Sequence, residues 1–214
     1  MLEELDKLII LIDEEYNRFH EKWQKSDVYV SINQKNRLVK DIKEDNNILN
    51  TIFNYRLFVN EHHLNLKLAF NHLKLVSEVT SRVKAQNSIE YKFSNYMSEK
   101  HEFGKIPLNK CFNDLYGIRI IFHEDIKFED IKDFVENRYN GKLKCYNASK
   151  SDYVATHIYF KNGNYSFQWE LQIWDKSHEE SNIISHEKYK QDYTKWEKEI
   201  KEGDYFGNTL YIDE

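Results

Sequence analysis

One proline and six glycines in 214 residues leave little material for a long flexible linker. Two cysteines, Cys111 and Cys145, are too few for a disulfide scaffold and read as reduced thiols in a cytoplasmic protein. No apolar run reaches the length that spans a bilayer, so no membrane partner is expected. The opening "MLEELDKLIILIDEEY" starts acidic and its apolar stretch is broken by Asp13, which is unlike a signal peptide. Repeats and low-complexity segments are lacking too. Positive charge is not in excess: the formal net charge of −5 argues against a protein that coats DNA, while leaving room for a local basic patch. What the chain has in quantity is core material, 40% hydrophobic and 15% aromatic, at a length suited to one domain or one domain with an appendage.

The first third reads as helix. Leu5, Leu8, Ile12, Tyr16, Phe19 and Trp23 step by three or four and form one apolar face. A second helix is expected over residues 37–58, with Leu38, Ile42, Leu49, Ile52 and Phe53 inward, and a third over 61–75. At "SEVTSRVK" the period changes to two, so Arg82 and Lys84 share a face. "NSIEYKFSNYMSEK" returns to helix with Asn87 or Ser88 as N-cap. "NDLYGIRIIF" is a strand, "FEDIKDFVENRY" a helix, and "KLKCYN", "DYVATHIYF" and "YSFQWELQIW" are strands. A last helix carries Tyr189, Tyr193, Trp196 and Ile200. The order β-α-β-α-β-β-β-α implies an α+β domain, a mixed sheet of about five strands flanked by helices. The expected division is an N-terminal helical region at 1–75, a catalytic part at 76–200 and a tail at 201–214.

Asn162-Gly163 between two alternating runs signals a two-residue hairpin loop. That loop would set His157 opposite Gln168, Ala155 opposite Glu170 and Tyr153 opposite Gln172. Opposed residues point to one face, so Tyr153, His157, Gln168, Glu170 and Gln172 would crowd together. Val154, Thr156, Ile158, Phe167, Trp169, Leu171 and Ile173 would face the core. A polar yet aromatic face suits a ligand floor, and a slip of one residue would invert the assignment.

Other segments add charge to this face. Arg82 and Lys84 come from the first strand, Ser88 and Lys92 lie one turn apart on the next helix, and Asp114 and Arg119 bracket the second strand. Two carboxylates, Asp114 and Glu170, suit Mg²⁺. Four cations and a helix N-terminus suit a polyphosphate. Together they would stabilise the charge that develops in phosphoryl-type transfer.

In order and spacing, "RVKAQNSIEYK", "DLYGIRI", "DYVATH" and "WELQIW" resemble the synthetase domain of the RelA/SpoT homologues over roughly residues 76–200. The resemblance implies transfer of pyrophosphate from ATP to a ribose 3′-hydroxyl, usually of GDP or GTP, giving the alarmones (p)ppGpp. It implies that Arg82 stacks on the adenine, that Lys84, Ser88 and Lys92 surround the ATP phosphates, and that Arg119 lies near them. Asp114 matches the Mg²⁺-binding aspartate. Tyr153 matches the tyrosine that stacks on the acceptor guanine, with His157 four residues later. Glu170 matches the glutamate that helps bind metal and activates the hydroxyl, and Gln172 its neighbour. Glu170 would then sit in a strand because a rigid strand aims it at the 3′-hydroxyl.

The chain departs from the pattern at three places. Ser151-Asp152 replaces the usual Asn-Gly, Val154-Ala155-Thr156 lacks the usual serine, and Trp174 replaces an arginine, removing one acceptor-side cation. The short N-terminal region, in which His62-His63 is not a His-Asp metal pair, implies no alarmone hydrolase activity. The long C-terminal helix through which some small members assemble is also expected to be absent. A second acceptor stays open. Some short relatives resemble toxins that pyrophosphorylate the 3′ end of tRNA and are restrained by an antitoxin. Lys142, Lys144 and Lys150 in "GKLKCYNASKSDY" would meet a nucleic-acid backbone. The presence of both Asp114 and Glu170 weighs against a non-catalytic relative.

Overall fold

The computed structural model describes residues 1–188. The expected last helix, with Tyr189, Tyr193, Trp196 and Ile200, lies outside the described residues, as do the tail at 201–214 and any further C-terminal helix. Helix α1 (Leu2–Gln24) buries Leu5, Leu8, Ile12, Tyr16, Phe19 and Trp23, the stripe its periodicity predicts. The second and third expected helices are one helix, α2 (Asn46–His72). No glycine or proline interrupts those 27 residues, so the hydrogen-bond ladder runs on through position 60. Asp45 caps α2 by accepting from the Asn47 N–H at 3.1 Å, and the residues before it form a 3₁₀ turn, Val39–Lys43.

The remaining elements are β1 (Glu78–Val83), α3 (Gln86–Tyr96), a short α4 (Leu108–Cys111), β2 (Tyr116–Phe122), α5 (Phe128–Tyr139), β3 (Lys144–Asn147), β4 (Thr156–Phe160) and β5 (Trp169–Asp175). A helix α6 covers residues 179–188. The expected α+β order holds, with α4 and a 3₁₀ segment (Glu99–Gly104) added. Helix α3 starts earlier than expected. Its N-cap is Ala85, which has no side-chain cap bond, and Ser88 lies in its first turn.

The five strands form one mixed sheet in the order β1-β2-β5-β4-β3, with β2 and β5 parallel and every other pair antiparallel. Strand β5 is buried at all seven positions. One face of the sheet meets α1 and α2. There Trp169 contacts Tyr16, Phe19 and Tyr116, and a single apolar cluster runs from α1 and α2 through the sheet. No described helix is long and apolar enough to cross a membrane.

The β4–β5 connection corrects the expected hairpin. Asn162-Gly163 does not close a two-residue turn, and residues 161–168 separate the strands. Tyr16 on α1 donates its hydroxyl to the Phe167 carbonyl at 2.9 Å and accepts from the Asn162 N–H at 3.2 Å. Ser166 Oγ also accepts from Asn162 N–H, at 2.8 Å, and the Asn164 carbonyl accepts from the Gln34 N–H at 2.8 Å. Loop backbone groups thus find partners outside the ladder, and Gln168 leaves the expected strand pair. Glu170 faces Tyr159 and His157 faces Gln172. The slip is even, so every strand side chain keeps its expected face. Tyr153 is no longer a strand residue. It ends a turn, 150–153, in which Ser151 takes a left-handed φ of 53°.

The buried Trp169 donates its indole N–H to the Tyr55 hydroxyl at 2.9 Å. Tyr55→Phe leaves that N–H buried without a partner. The expected cost is about 1–3 kcal/mol, seen as a lower urea midpoint at unchanged slope.

Candidate active site

The face of the sheet away from α1 and α2 carries Arg82 on β1, Gly117 and Arg119 on β2, Glu170, Gln172 and Trp174 on β5, and His157 and Tyr159 on β4. Arg82, Gly117 and Glu170 lie side by side in register, and the Arg82 side chain lies across the glycine, where an added Cβ would stand 3.8 Å from Arg82 Cγ. Above this floor is a cavity of about 640 Å³. Of the residues singled out from the sequence, Arg82, Lys84, Ser88, Asp114, Tyr153, His157, Glu170 and Gln172 line it. Lys92 and Arg119 do not. They stand behind the wall and bond to Asp114 and Gln172, which do line it.

At one end Asp114 lies just before β2, between two ammonium groups. Lys84 Nζ is 2.5 Å from Oδ2 and Lys92 Nζ is 2.9 Å from Oδ1. Burial pushes the Asp114 carboxyl up, but the charges of Lys84 and Lys92 outweigh it and hold the group far below the ordinary aspartate range. Burial lowers Lys84, and the nearby Lys92 and Arg82 cations oppose what Asp114 restores. Lys92 goes the other way: burial lowers it, and the Asp114 charge overcomes this and raises it. Lys92 also donates to Asn113 Oδ1 at 3.0 Å.

Glu170 is only 5% exposed, in the middle of the sheet. Three donors hold it. Tyr159 donates to Oε1 at 2.9 Å, His157 Nδ1 lies 3.0 Å from the same oxygen, and Gln172 Nε2 donates to Oε2 at 2.7 Å. Burial pushes the carboxyl up, but these partners, His157 first among them, bring it below its ordinary value. Gln172 Oε1 in turn accepts from Arg119 Nε at 3.2 Å and Nη2 at 3.0 Å.

Tyr153 stands above His157 and Trp174. Its hydroxyl accepts from Trp174 Nε1 at 3.3 Å and lies 2.9 Å from His157 Nε2, while His157 Nδ1 faces Glu170. Burial raises the Tyr153 phenol to about 12, so it stays protonated. At Trp174 no cation is present in the side chain itself, yet the Arg119 guanidinium lies 3.5 Å from the centre of its ring. Burial and the Arg82 charge lower Arg119 to about 10, and it stays charged near neutrality.

Sequence reasoning missed Tyr159, Asn113 and His186. Tyr159 lies two residues after His157, so period two alone places it on the site face. It accepts from Asn113 Nδ2 at 3.1 Å while donating to Glu170. His186 on α6 stacks on Trp174 at 5.7 Å, receives Arg119 Nη2 at 3.4 Å and lines the cavity. Burial and the Arg82 and Arg119 charges lower it to about 4. No local pattern marks a histidine in a helix as belonging to a site.

Among the described residues no group of three or more His, Cys, Asp or Glu side chains is arranged as a metal cage. The donor set on this cavity is two carboxylates facing a space large enough for a phosphate chain. That fits Mg²⁺, which commonly takes one or two carboxylates and completes its shell with substrate phosphates and water.

A family model described as a region found in RelA / SpoT proteins matches residues 81–194, more than half of the chain, and the chain belongs to that family. Among solved structures it is similar to the small alarmone synthetase 1 from Bacillus subtilis, at 23% identity over 70% of this chain and 82% of that one, with a TM-score of 0.38. The same synthetase bound to AMPCPP matches at 21% identity over the same shares, with a TM-score of 0.37. The small alarmone synthetase 2 from Bacillus subtilis matches at 18% identity over 67% and 80%, with a TM-score of 0.37. No curated protein matches.

Asp114→Asn leaves two buried ammonium groups facing each other without their counter-charge. The expected destabilisation near neutral pH is about 3–5 kcal/mol. Because the folded Asp114 pKa is depressed, its stabilisation is complete above the unfolded value of about 4 and is lost only below it. The gap from wild type therefore persists at about pH 5. It narrows on the alkaline side, where Lys84, already lowered, sheds its proton. Urea midpoints of both proteins across pH check this.

Proposed function

We propose that this protein is an ATP-dependent pyrophosphokinase that moves the β,γ-pyrophosphate of ATP to the ribose 3′-hydroxyl of GDP or GTP, making (p)ppGpp. The observation that carries the reading is one cavity with two differently held carboxylates, Asp114 between ammonium groups and Glu170 among a phenol, an imidazole and an amide, in a chain of the RelA/SpoT family. In the reaction a bond forms between the acceptor 3′-oxygen and the β-phosphorus. The bond from that phosphorus to the oxygen bridging it to the α-phosphorus breaks, and AMP leaves.

The roles follow from position. Arg82, exposed at the end of β1, offers its guanidinium plane to the adenine. Lys84 and Ser88, on the wall at the start of α3, meet the phosphates, and Lys92 acts through Asp114. Asp114 and Glu170 would hold Mg²⁺, which when bound would neutralise phosphate charge. Glu170, kept ionised by its three donors, accepts the proton of the 3′-hydroxyl. Gln172, fixed by Arg119, sets the Glu170 rotamer, and His157 does the same from the opposite side. Tyr153 offers its ring to the acceptor base.

A second acceptor, the 3′ end of tRNA, is favoured by one observation. The site face continues past β4 to the sheet edge. There Tyr146, opposite His157, is 47% exposed, Lys144 lies opposite Tyr159, and Lys150 lines the cavity. On that reading the protein is a translation-blocking toxin that needs an antitoxin partner.

ATP labelled on the γ-phosphate, with Mg²⁺ and with GDP, GTP or deacylated tRNA in separate reactions, decides the acceptor. Label in a guanosine nucleotide is expected. Label in tRNA alone moves the protein to the second reading, and label in none of them overturns both. In the same assay Glu170→Gln is expected to lower transfer by roughly 10²–10⁴-fold while leaving ATP binding intact. Undiminished transfer would remove Glu170 from the chemistry.

A further inference from the structure

Helix α6 meets the turn that carries Tyr153 through one fully buried amide. Asn182 is 0% exposed. Its Oδ1 accepts from the Val154 N–H at 2.7 Å, and its Nδ2 donates to the Val154 carbonyl at 2.8 Å. Val154 directly follows Tyr153. Among the described residues, the backbone around it is otherwise bonded within the segment. The Lys150 N–H donates to the Tyr153 carbonyl at 2.8 Å, the Tyr153 N–H donates back to the Lys150 carbonyl at 3.1 Å, and the Ala148 N–H donates to the Ala155 carbonyl at 2.9 Å. The Ala155 N–H reaches Ser149 Oγ at 3.3 Å.

The N–H and carbonyl of one extended residue point the same way and ordinarily meet a neighbouring strand. Ladder pairing between β4 and β5 begins only at Thr156, opposite Ile173. At Val154, two residues earlier, the Asn182 side chain fills the place of that missing strand, and an amide is the group that both donates and accepts in this way. His186 lies four residues further along α6, on the same side of the helix. It meets the Tyr153 ring edge-on, at 5.4 Å and 90°. One helix face therefore fixes both the backbone beside Tyr153 and the space around its ring.

We propose that Asn182 is a positioning residue for the acceptor. By holding Val154 it sets the angle at which Tyr153 presents its ring to the acceptor base. The proposal rests on the acceptor role given to Tyr153 under the proposed function. It makes α6 part of the acceptor site and not only a cover for the sheet.

The test uses full-length wild type, Asn182→Ala, Tyr153→Ala and the double variant. Each is assayed for transfer and, separately, for equilibrium binding of GDP, GTP, deacylated tRNA and a non-hydrolysable ATP analogue. Asn182→Ala is expected to raise the acceptor KM and Kd by roughly ten- to a hundredfold, with those for ATP changed by less than about twofold. In the Tyr153→Ala background the same substitution should add almost nothing, because the cycle then has no ring left to orient. Equal losses toward ATP and acceptor, or a full loss added in the Tyr153→Ala background, would show that Asn182 only supports the fold and would overturn the proposal. So would wild-type protein that binds none of the three acceptors.

Wild type that binds an acceptor but transfers nothing would defeat the proposed reaction alone, and the binding cycle would still decide the role of Asn182. Hydrogen exchange in the absence of ligand gives an independent reading. Faster exchange confined to residues 150–155 is expected in Asn182→Ala, and unchanged protection there would overturn the clamp. Should Asn182→Ala fold poorly, Asn182→Asp keeps the oxygen for the Val154 N–H and loses only the donor. It is expected to show the same acceptor-selective loss in smaller measure, and a loss spread equally over ATP and acceptor counts against the proposal there too.

Discussion

A carboxylate buried in the central strand of a sheet is the constraint to which the other side chains on this face answer. Removing an ion from water costs several kcal/mol even after the protein relaxes. A hydrogen bond to a charged group returns about 1.5–3 kcal/mol. Two or three such bonds are needed to keep Glu170 ionised, and it has three, from Tyr159, His157 and Gln172. Each donor is fixed by something else. Asn113 holds Tyr159, the Tyr153 hydroxyl holds His157, and Arg119 holds Gln172. Arg119 lies over Trp174, and Trp174 reaches back to Tyr153. The chain of contacts closes on itself, so each side chain in it is held by two others.

Asp114 solves the same problem differently. It has two ammonium partners where Glu170 has a phenol, an imidazole and an amide. Both carboxylates end below their ordinary pKa, yet their surroundings differ in sign. Lys84, Lys92 and Arg82 make the Asp114 end positive, which suits the phosphate chain of a nucleotide. The Glu170 end has an ionised carboxylate and, among the described residues, no lysine in contact with it, which suits a hydroxyl that must lose a proton. This separation follows from topology. The cations come from β1 and the helix after it, and the hydrogen-bonding groups come from β4 and β5.

Much of this was legible because period two survives errors of register. The Asn162-Gly163 signal placed the hairpin four positions out, and the faces came through unchanged, since any even slip preserves them. Helical stripes were legible in α1, where the apolar residues step evenly. They were less so in α2, where no residue marks a boundary and two expected helices proved continuous. The loop of 161–168 was hidden because its partners, Tyr16 and Gln34, are far away in sequence. The same reason hid Asn182 and His186. Nothing near either residue distinguishes it from any polar residue on an amphipathic helix, and only the approach of α6 to Tyr153 gives it a task. Tyr159 was within reach of the alternation that found His157.

Trp174 shows how a departure from a family pattern is absorbed. An arginine there would put a cation at this end of the cavity. The tryptophan is buried, and it gathers the Arg119 guanidinium from the next strand against its ring. That cation serves Gln172 and stands behind the wall, so this end of the cavity, the acceptor end on the proposed function, is lined by rings: Tyr153, Trp174 behind it, and His186, neutral near physiological pH because its pKa is lowered to about 4. Ring surfaces favour a base through stacking, which discriminates weakly among bases. On the proposed function, choice of acceptor then falls on whatever meets the rest of the molecule. In this chain that is the turn bearing Lys150 and, beyond it, the exposed edge strand with Lys144 and Tyr146. A mononucleotide would touch only the first of these, while a longer acceptor would reach all three.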